Sequence, residues 1–136
     1  MKISKKAYYG LRAALALAQT EKPLSIHTLA QTEQLPEEYL EKILQSMRRA
    51  GLVEAKKGTA GGYSLARPAN TITTWEILSV LDDPIKTFAS PIKGNLPCLQ
   101  PGHCQTNEVW RTLETEIEKT LTKITLRSLI PQNSSR

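Results

Sequence analysis

Two cysteines flank a histidine in one short stretch, Cys98-Leu99-Gln100-Pro101-Gly102-His103-Cys104. Soft thiolates at short spacing, in a loop that Pro and Gly bend, are compatible with an iron–sulfur cluster or zinc. Two thiolates leave a cluster two ligands short, however, and two cysteines in a chain of 136 residues are commonly small, partly buried side chains. The spacing leaves both a metal site and structural cysteines open.

The sequence contains no pattern typical of a catalytic site. Its two histidines, His27 and His103, lack any cue that pairs them with a nucleophile and a carboxylate, and no glycine-rich phosphate loop precedes a Lys-Ser or Lys-Thr pair. The cysteine spacing also differs from the Cys-x-x-Cys of thiol-redox enzymes, and no βαβ pattern surrounds it. We therefore expect a protein that is not an enzyme.

A basic, glycine-rich hairpin is the second feature with chemical potential. Two short apolar runs between Leu52 and Ala66 flank a tip that contains Lys56, Lys57, Thr59 and Gly61. The two lysines suit phosphates or the minor groove of DNA, and the glycines would allow a close approach of the backbone. The tip is therefore a candidate DNA contact.

A helix precedes this hairpin, and its polar side chains form the third group. Pro36 suits its first position, four apolar residues mark a buried stripe (Leu40, Ile43, Leu44, Met47), and Gly51 follows its end. Lys42 and Gln45 are of the types that pair with guanine and adenine edges, and Glu41 accepts from cytosine. Surface residues of these types are also often merely solvated. The candidate DNA-facing residues of this helix are Glu38, Tyr39, Glu41, Lys42, Gln45 and Arg49.

The elements around these groups predict a winged helix-turn-helix. Ser4 can cap a first helix that runs to about Gln19, with Tyr8, Leu11, Leu15 and Ala18 at helical spacing, and its Lys5, Lys6 and Arg12 could add phosphate contacts. Ser25 can cap a second helix, which a turn over residues 31–35 would join to the third. After the hairpin, Thr73-Thr74-Trp75-Glu76 is a capping box for a helix that runs to about Leu81.

A long helix is predicted from about Thr106. Its apolar residues recur at three- and four-residue steps, and so small a core should not cover them all, so the stripe is expected to meet a second copy of itself. Packing back on its own domain is the alternative. The stripe consists of Trp110, Leu113, Ile117, Leu121 and Ile124. The expected fold is mainly α with a small β-hairpin. Its parts are a winged helix-turn-helix domain (residues 1–82), a cysteine-containing loop (83–105), a dimerisation helix (106–130) and a disordered tail (131–136).

The charge of the chain is concentrated in its first half. Residues 1–70 hold eleven Lys and Arg against six Asp and Glu, whereas residues 71–136 hold seven of each, so the whole formal net charge of +5 falls on the half with the hairpin. A localised positive field attracts a polyanion such as double-stranded DNA. No signal peptide or membrane-length apolar run is visible, so we expect a cytoplasmic protein without a membrane partner.

The chain resembles the Rrf-two family of bacterial transcription regulators. The resemblance is carried by residues 8–13 of the first helix, by Leu-Pro-Glu-Glu-Tyr-Leu-Glu-Lys-Ile-Leu (35–44), by Gly-Thr-Ala-Gly-Gly-Tyr-Ser-Leu-Ala (58–66) and by Thr-Thr-Trp-Glu-Ile-Leu (73–78). It covers essentially residues 1–130. The resemblance implies a homodimer, with crossed C-terminal helices, that binds a near-palindromic operator as a repressor or activator.

The resemblance also bears on the cysteines. In sensing members three loop cysteines and one further ligand hold a [2Fe–2S] or [4Fe–4S] cluster, and Cys98 and Cys104 match the last two of the three. Ile92 stands at the first, and Asn107 stands where some members have His. A cluster, with [2Fe–2S] favoured, would then need His103 or a ligand from the partner's first helix, and could be lost in air. The alternative is a cluster-free regulator that a protein partner controls.

Overall fold

The computed structural model describes residues 3–81 and 107–132. Within these ranges the chain is mainly helical and has one two-stranded antiparallel hairpin, which confirms the predicted fold class. Cys98, His103 and Cys104 lie outside the described residues. The elements are α1 (Lys5–Ala18), α2 (Ile26–Glu33), α3 (Glu37–Arg49), β1 (Val53–Lys56), β2 (Gly62–Leu65), a 3-10 turn (Ala69–Thr71), α4 (Thr74–Leu81), α5 (Asn107–Lys123) and α6 (Leu126–Leu129).

Helix α1 begins as predicted but buries a different face. Ser4 caps it, because its Oγ accepts a hydrogen bond of 3.1 Å from the N–H of Ala7. The predicted stripe is wrong: Tyr8 is 57% exposed, and Leu11, Leu15 and Ala18 are only partly buried. The buried residues of α1 are Ala7, Gly10, Ala13, Ala14 and Leu17.

Close packing between helices explains this choice of face. A Cβ atom on Gly10 would overlap the side chain of Leu81 on α4, so α1 approaches α4 through its smallest residues. A face of Gly and Ala lets the two backbones come closer than a face of Leu and Tyr would. Of the larger side chains of α1, Leu17 is buried, whereas Tyr8 is exposed and Leu11 and Leu15 are only partly buried.

A short turn joins α2 to α3. Ser25 caps α2 as predicted, but the helix continues to Glu33, so the predicted turn over residues 31–35 is too long. Gln34 ends the helix in the left-handed region, with φ of 56°, and the N–H of Leu35 reaches the carbonyl of Ala30 at 2.9 Å. Pro36 occupies the N-cap position of α3 rather than its first helical position.

The end of α3 is closed by a Schellman motif. Its apolar stripe is fully buried as predicted, and Gly51 follows the helix with φ of +78°. The N–H of Gly51 bonds to the carbonyl of Arg48 at 3.0 Å, and that of Leu52 bonds to the carbonyl of Met47 at 3.0 Å. Because Val53 begins β1, this motif directs the chain from α3 straight into the hairpin.

The hairpin is anchored on the helical core by a further backbone segment. Strands β1 and β2 pair from Val53 opposite Leu65 to Lys56 opposite Gly62. Leu24 extends the pairing, because its N–H and carbonyl bond to the carbonyl and N–H of Tyr63 at 2.9 and 2.7 Å. The whole hairpin is therefore held against the segment that precedes α2.

The C-terminal region is divided and partly returns to the core. One helix over residues 106–130 was expected, but α5 ends at Lys123, and Thr125 caps the short α6 through a capping box with Ser128. The N–H of Leu126, which is fully buried, bonds to the carbonyl of Ile72 at 3.0 Å. This backbone pairing makes the start of α6, directly after α5, part of the core. None of the helices in residues 3–81 and 107–132 is long and apolar enough to span a bilayer.

Candidate nucleic-acid interface

The exposed face of α3 carries most of the predicted DNA-facing side chains. Glu38, Glu41, Lys42, Gln45 and Arg49 are all exposed, opposite the buried apolar stripe. At 100° per residue Gln45 lies at the middle of this face. The structure therefore brings these five residues onto one surface, with an amide at its centre.

Tyr39 is the exception among the predicted residues of α3. It is partly buried and packs against the core, and its ring meets the edge of the Tyr9 ring at a centroid distance of 6.2 Å. Tyr9 in turn meets Tyr8 at 5.4 Å. Packing between α3 and α1 therefore accounts for Tyr39 without any contact to DNA.

The charges of α3 change sign along its length. Its first turn carries Glu37 and Glu38, whereas its last turn carries Arg48 and Arg49, an arrangement that suits the helix dipole. Glu37 is also occupied, because its Oε1 lies 2.8 Å from Nδ1 of His27 on α2. The basic end of α3 is thus the end from which the chain enters the hairpin.

The hairpin continues this basic end of α3. Lys56 and Lys57 are exposed at its tip, and α3 packs against β1. Within residues 3–81 and 107–132, Lys42, Arg49, Lys56 and Lys57 form no ion pair. We call these four residues the basic edge. Their charges are free of partners in the described chain and available to phosphates.

The glycines of the hairpin tip are required by close backbone contacts within the chain itself. A Cβ atom on Gly61 would overlap the carbonyl of Lys56, and one on Gly62 would overlap the backbone of Leu24. Gly62 also has φ of +147°, which a side chain would strain. Their conformation thus has an internal cause, beside the predicted close approach to DNA. Thr59 lies exposed at the same tip.

The basic residues of α1 differ in whether their charges are available to phosphates. Lys5 is exposed, Lys6 is partly exposed, and neither forms an ion pair with a described residue. Arg12, expected as a phosphate contact, instead lies 2.8 Å from Glu33. Its Cζ is also about 6 Å from the ring centroids of Tyr8 and Tyr9. Arg12 therefore joins α1 to α2.

The predicted dimerisation stripe on α5 falls into two halves. Trp110 is 39% exposed, and Leu113 and Ile117 are partly buried. Leu121, by contrast, packs against the core, and the carbonyl of Ile124 accepts a hydrogen bond of 2.8 Å from the N–H of Thr74. The alternative of packing on the chain's own domain thus holds for the C-terminal end of α5 near Leu121, which we call the base of α5. The N-terminal end near Trp110, which we call its outer end, remains the candidate dimer surface.

A family model connects this geometry with known proteins. The model of the Rrf2 (Rrf-two) family, described as an iron-dependent transcriptional regulator, matches residues 3–132. The chain belongs to the Rrf2 family. This confirms the resemblance carried by α3 and the glycine-rich hairpin. The protein is thus a DNA-binding helix-turn-helix transcription regulator and not an enzyme.

Curated relatives and solved structures agree with this assignment to Rrf2. The transcriptional regulator CymR of Bacillus subtilis is 36% identical over 131 residues, which cover 95% of this chain and 89% of that protein. The structure of IscR from T. potens has a TM-score of 0.77 at 34% identity and covers 95% of this chain and 85% of that one. The structure of CymR, the global cysteine regulator of B. subtilis, has a TM-score of 0.76 at 32% identity, with 95% of each chain covered.

The described residues of this Rrf2 chain contain no complete ligand set for an iron–sulfur cluster. The sequence has two cysteines and two histidines, and His27 is already bonded to Glu37. No three His, Cys, Asp or Glu side chains gather into a metal site within the described residues. Helix α1, which was one of two possible sources of a further ligand beside His103, contains no acid, histidine or cysteine. We therefore derive no step through a bound cluster.

An ion pair at the foot of the hairpin was missed at the sequence level. Nη2 of Arg67 lies 2.8 Å from both carboxylate oxygens of Glu76 and 3.0 Å from the carbonyl of Thr71. Burial raises the pKa of Glu76, but hydrogen bonds from Arg67 and Thr73 outweigh it, so the pKa lies below its usual value. The capping box revealed Glu76, but no local rule pairs it with a residue nine positions earlier.

Proposed function

We propose that the chain binds operator DNA as a homodimer, with α3 in the major groove and the hairpin on the adjacent phosphates. The basic edge supports this most directly. Lys42 and Arg49 on α3 and Lys56 and Lys57 on the hairpin are exposed and unpaired within the described residues. A helix flanked by a basic hairpin fits the major groove and the phosphates beside it.

Sequence recognition is assigned to the centre of the exposed face of α3. Gln45 occupies that centre and can pair with adenine, Lys42 can pair with guanine, and Glu41 can accept from the amino group of cytosine. A carboxylate close to DNA repels phosphates, so Glu41 favours binding only where a base donates to it. These three side chains are the proposed base-reading set.

Substitution of the central residue tests this assignment. Gln45→Ala should weaken binding to the selected operator by about 1–3 kcal/mol and change binding to random duplexes little. The operator is first selected from fragments of the organism's own genome, and both affinities are measured by fluorescence anisotropy. Gln31→Ala, an exposed amide on α2, is the control. Equal losses on both DNAs would assign Gln45 to phosphate contact. Failure to bind any genomic fragment at low salt would contradict the proposed function itself.

The outer end of α5 is the proposed dimer surface. Trp110 and Val109 remain well exposed there, and Leu113 and Ile117 continue the apolar surface toward the base. Two copies that pair these ends would cover apolar side chains that the described part of one chain leaves open. Pairing also presents two α3 helices to one operator.

The signal is proposed to act through the loop with Cys98, His103 and Cys104. A [2Fe–2S] cluster there would need ligands beyond the two thiolates, and incomplete thiolate ligation would make it labile in air. A cluster-free regulator under the control of a protein partner is the second candidate. The absence of any acid, histidine or cysteine from α1 favours it, because α1 of a partner subunit then offers no such ligand.

Anaerobic preparation distinguishes the two candidates. A cluster predicts a coloured protein with bound iron and sulfide, and Cys98→Ala or Cys104→Ala should remove both the colour and any signal-dependent change in DNA affinity. Iron-replete, anaerobic protein without iron or sulfide would contradict the cluster. The cluster-free candidate would in turn be contradicted by cysteine variants that lose regulation together with bound iron.

A further inference from the structure

The foot of the hairpin is tied to α4 by one guanidinium. Arg67 follows β2 by two residues, and its Nη2 meets both oxygens of Glu76 at 2.8 Å and the carbonyl of Thr71 at 3.0 Å. Three acceptors thus converge on one nitrogen. Charge-assisted hydrogen bonds of this kind are shorter and stronger than neutral ones. They therefore restrict how the hairpin can pivot on α4.

The same carboxylate also fixes the start of α4. Oε2 of Glu76 accepts a hydrogen bond of 3.0 Å from the N–H of Thr73, and Oγ1 of Thr73 accepts one of 3.2 Å from the N–H of Glu76. The two bonds form the capping box of α4. Glu76 therefore holds the hairpin foot and the first turn of α4 with one group.

The next residue connects this turn to the base of α5. Oγ1 of Thr74 donates to the carbonyl of Leu121 at 2.7 Å, and the N–H of Thr74 donates to the carbonyl of Ile124 at 2.8 Å. Thr74 is 3% exposed and is the one buried polar residue among those described. Arg67, Thr73, Thr74 and Glu76 thus form a continuous connection from hairpin to α5, which we call the wing joint.

We infer that Arg67 and Glu76 are positioning residues for DNA binding: through the wing joint they fix the basic hairpin relative to the base of α5. Lys56 and Lys57 then meet the phosphates at a position set by the helix that carries the dimer surface. This inference rests on the proposed contact between the hairpin and DNA. Arg67 itself would act through geometry and not as a ligand of phosphate.

Neutralising Glu76 distinguishes a positioning role of Arg67 from direct contact with phosphate, because the two roles predict opposite changes in DNA affinity. Glu76→Gln keeps an oxygen that can accept from Thr73 but removes the charge that holds Arg67. If the pair positions the hairpin, the operator affinity should fall about tenfold while the salt slope stays unchanged or becomes shallower, because a displaced hairpin can lose phosphate contacts. If Arg67 is instead a phosphate ligand restrained by Glu76, the affinity should rise and the slope should steepen, which would overturn the inference.

A matched variant controls for the change in net charge. Glu116→Gln makes the same substitution in an exposed ion pair on α5, where Glu116 lies 3.8 Å from Lys119. Its affinity should stay within about twofold of the original protein, because loss of an exposed ion pair has little structural effect. Equal effects of the two variants would contradict a positioning role. Should Glu76→Gln fail to fold, Arg67→Lys takes its place: it keeps the positive charge but loses the planar guanidinium whose Nη2 meets Glu76 and Thr71, and should also weaken binding.

A double-mutant cycle tests whether the wing joint acts as one unit. Thr74→Val removes the hydroxyl that bonds to Leu121 at nearly constant volume, and Thr74→Ser restores a hydroxyl. In one connected unit, the affinity lost in Thr74→Val with Glu76→Gln should be less than the product of the single losses. Multiplicative losses would show independent sites. Lys57→Ala distinguishes failure of the proposed function from failure of this inference. If Lys57→Ala leaves the DNA affinity unchanged, the proposed contact between hairpin and DNA is wrong. If Lys57→Ala lowers the DNA affinity but Glu76→Gln does not, only the positioning role is refuted.

Discussion

Removal of one lysine from the hairpin tip tests the proposed DNA contact quantitatively. The basic edge of each protomer has four exposed cations without an ion-pair partner in the described chain. If each cation neutralises one phosphate charge, Lys42 from within the groove and the other three by direct contact, a dimer neutralises about eight, and log K should fall against log salt with a slope of about −7. Lys57→Ala removes one contact from each protomer, so its slope should be about −5.5.

The difference between these slopes is large enough to measure. Between 50 and 200 mM salt, the original protein should lose about 20,000-fold in affinity and Lys57→Ala about 2,000-fold. The two proteins should therefore differ most at low salt and converge as salt rises. Because a phosphate contact carries no sequence information, operator and random duplexes should be affected alike.

Fluorescence anisotropy of a labelled operator duplex at several salt concentrations provides the assay. Lys119→Ala is the matched control, because it removes one positive charge from an exposed position on α5 that pairs with Glu116. Its slope should stay close to that of the original protein. An unchanged slope for Lys57→Ala, or the same change for both variants, would refute the assignment of the hairpin to phosphates.

Three further predictions concern the dimer, the helix-turn-helix and the wing joint. Ile117→Glu should yield monomers in sedimentation experiments and weaken operator binding, whereas Thr115→Glu on the opposite face of α5 should not; a monomeric original protein at micromolar concentration would contradict this dimer surface. Gln34→Gly should raise the free energy of unfolding by about 0.5–1 kcal/mol, because Gln34 has a left-handed φ of 56°; Gln31→Gly, inside α2, should lower it by about 1 kcal/mol. Burial raises the pKa of Glu76, but Arg67 and Thr73 lower it by more, so that the pKa in the folded protein lies below its ordinary 4.5. The Glu76 carboxylate therefore stabilises the fold fully above pH 4.5, and this stabilisation is lost as the pH falls through the lower pKa of the folded protein. The difference in unfolding free energy between the original protein and Glu76→Gln should therefore shrink in acid, and a constant difference from pH 7 to 3 would contradict this.

Local signals predicted the ends of elements where the deciding contacts are short in sequence. Gly51 adopts the left-handed conformation expected after α3, and Thr73 and Glu76 form their capping box. Both motifs need only residues within one or two helical turns. The extent of α2 was misjudged because Gln34, and not Gly or Asn, takes the left-handed position.

Non-local packing decided the features that the sequence did not reveal. The buried face of α1 is made of Ala and Gly together with Leu17 because Leu81 lies against Gly10, and no local period reports that proximity. Likewise, Leu24 pairs with Tyr63, although nearly forty positions separate them. The predicted DNA-facing side of α3 needed no such knowledge, since an amphipathic helix with one buried stripe leaves only one face for a ligand.

We expect the two ends of α5 to have different roles in regulation. At its base, Thr74 bonds to the carbonyls of Leu121 and Ile124, so this end moves with α4 and, through Glu76, with the hairpin. The outer end has no such backbone tie among the described residues, and the segment with Cys98 and Cys104 joins it in sequence to Leu81. A signal received in that segment would therefore act first on how two outer ends pair. Because each base is bonded to its own α4 and, through Glu76, to the hairpin, a change in pairing would alter the spacing of the two α3 helices, and a dimeric helix-turn-helix binds half-sites whose spacing matches that of its two helices. Operators with one base pair added or removed at the centre should therefore change their rank in affinity when the signal is present.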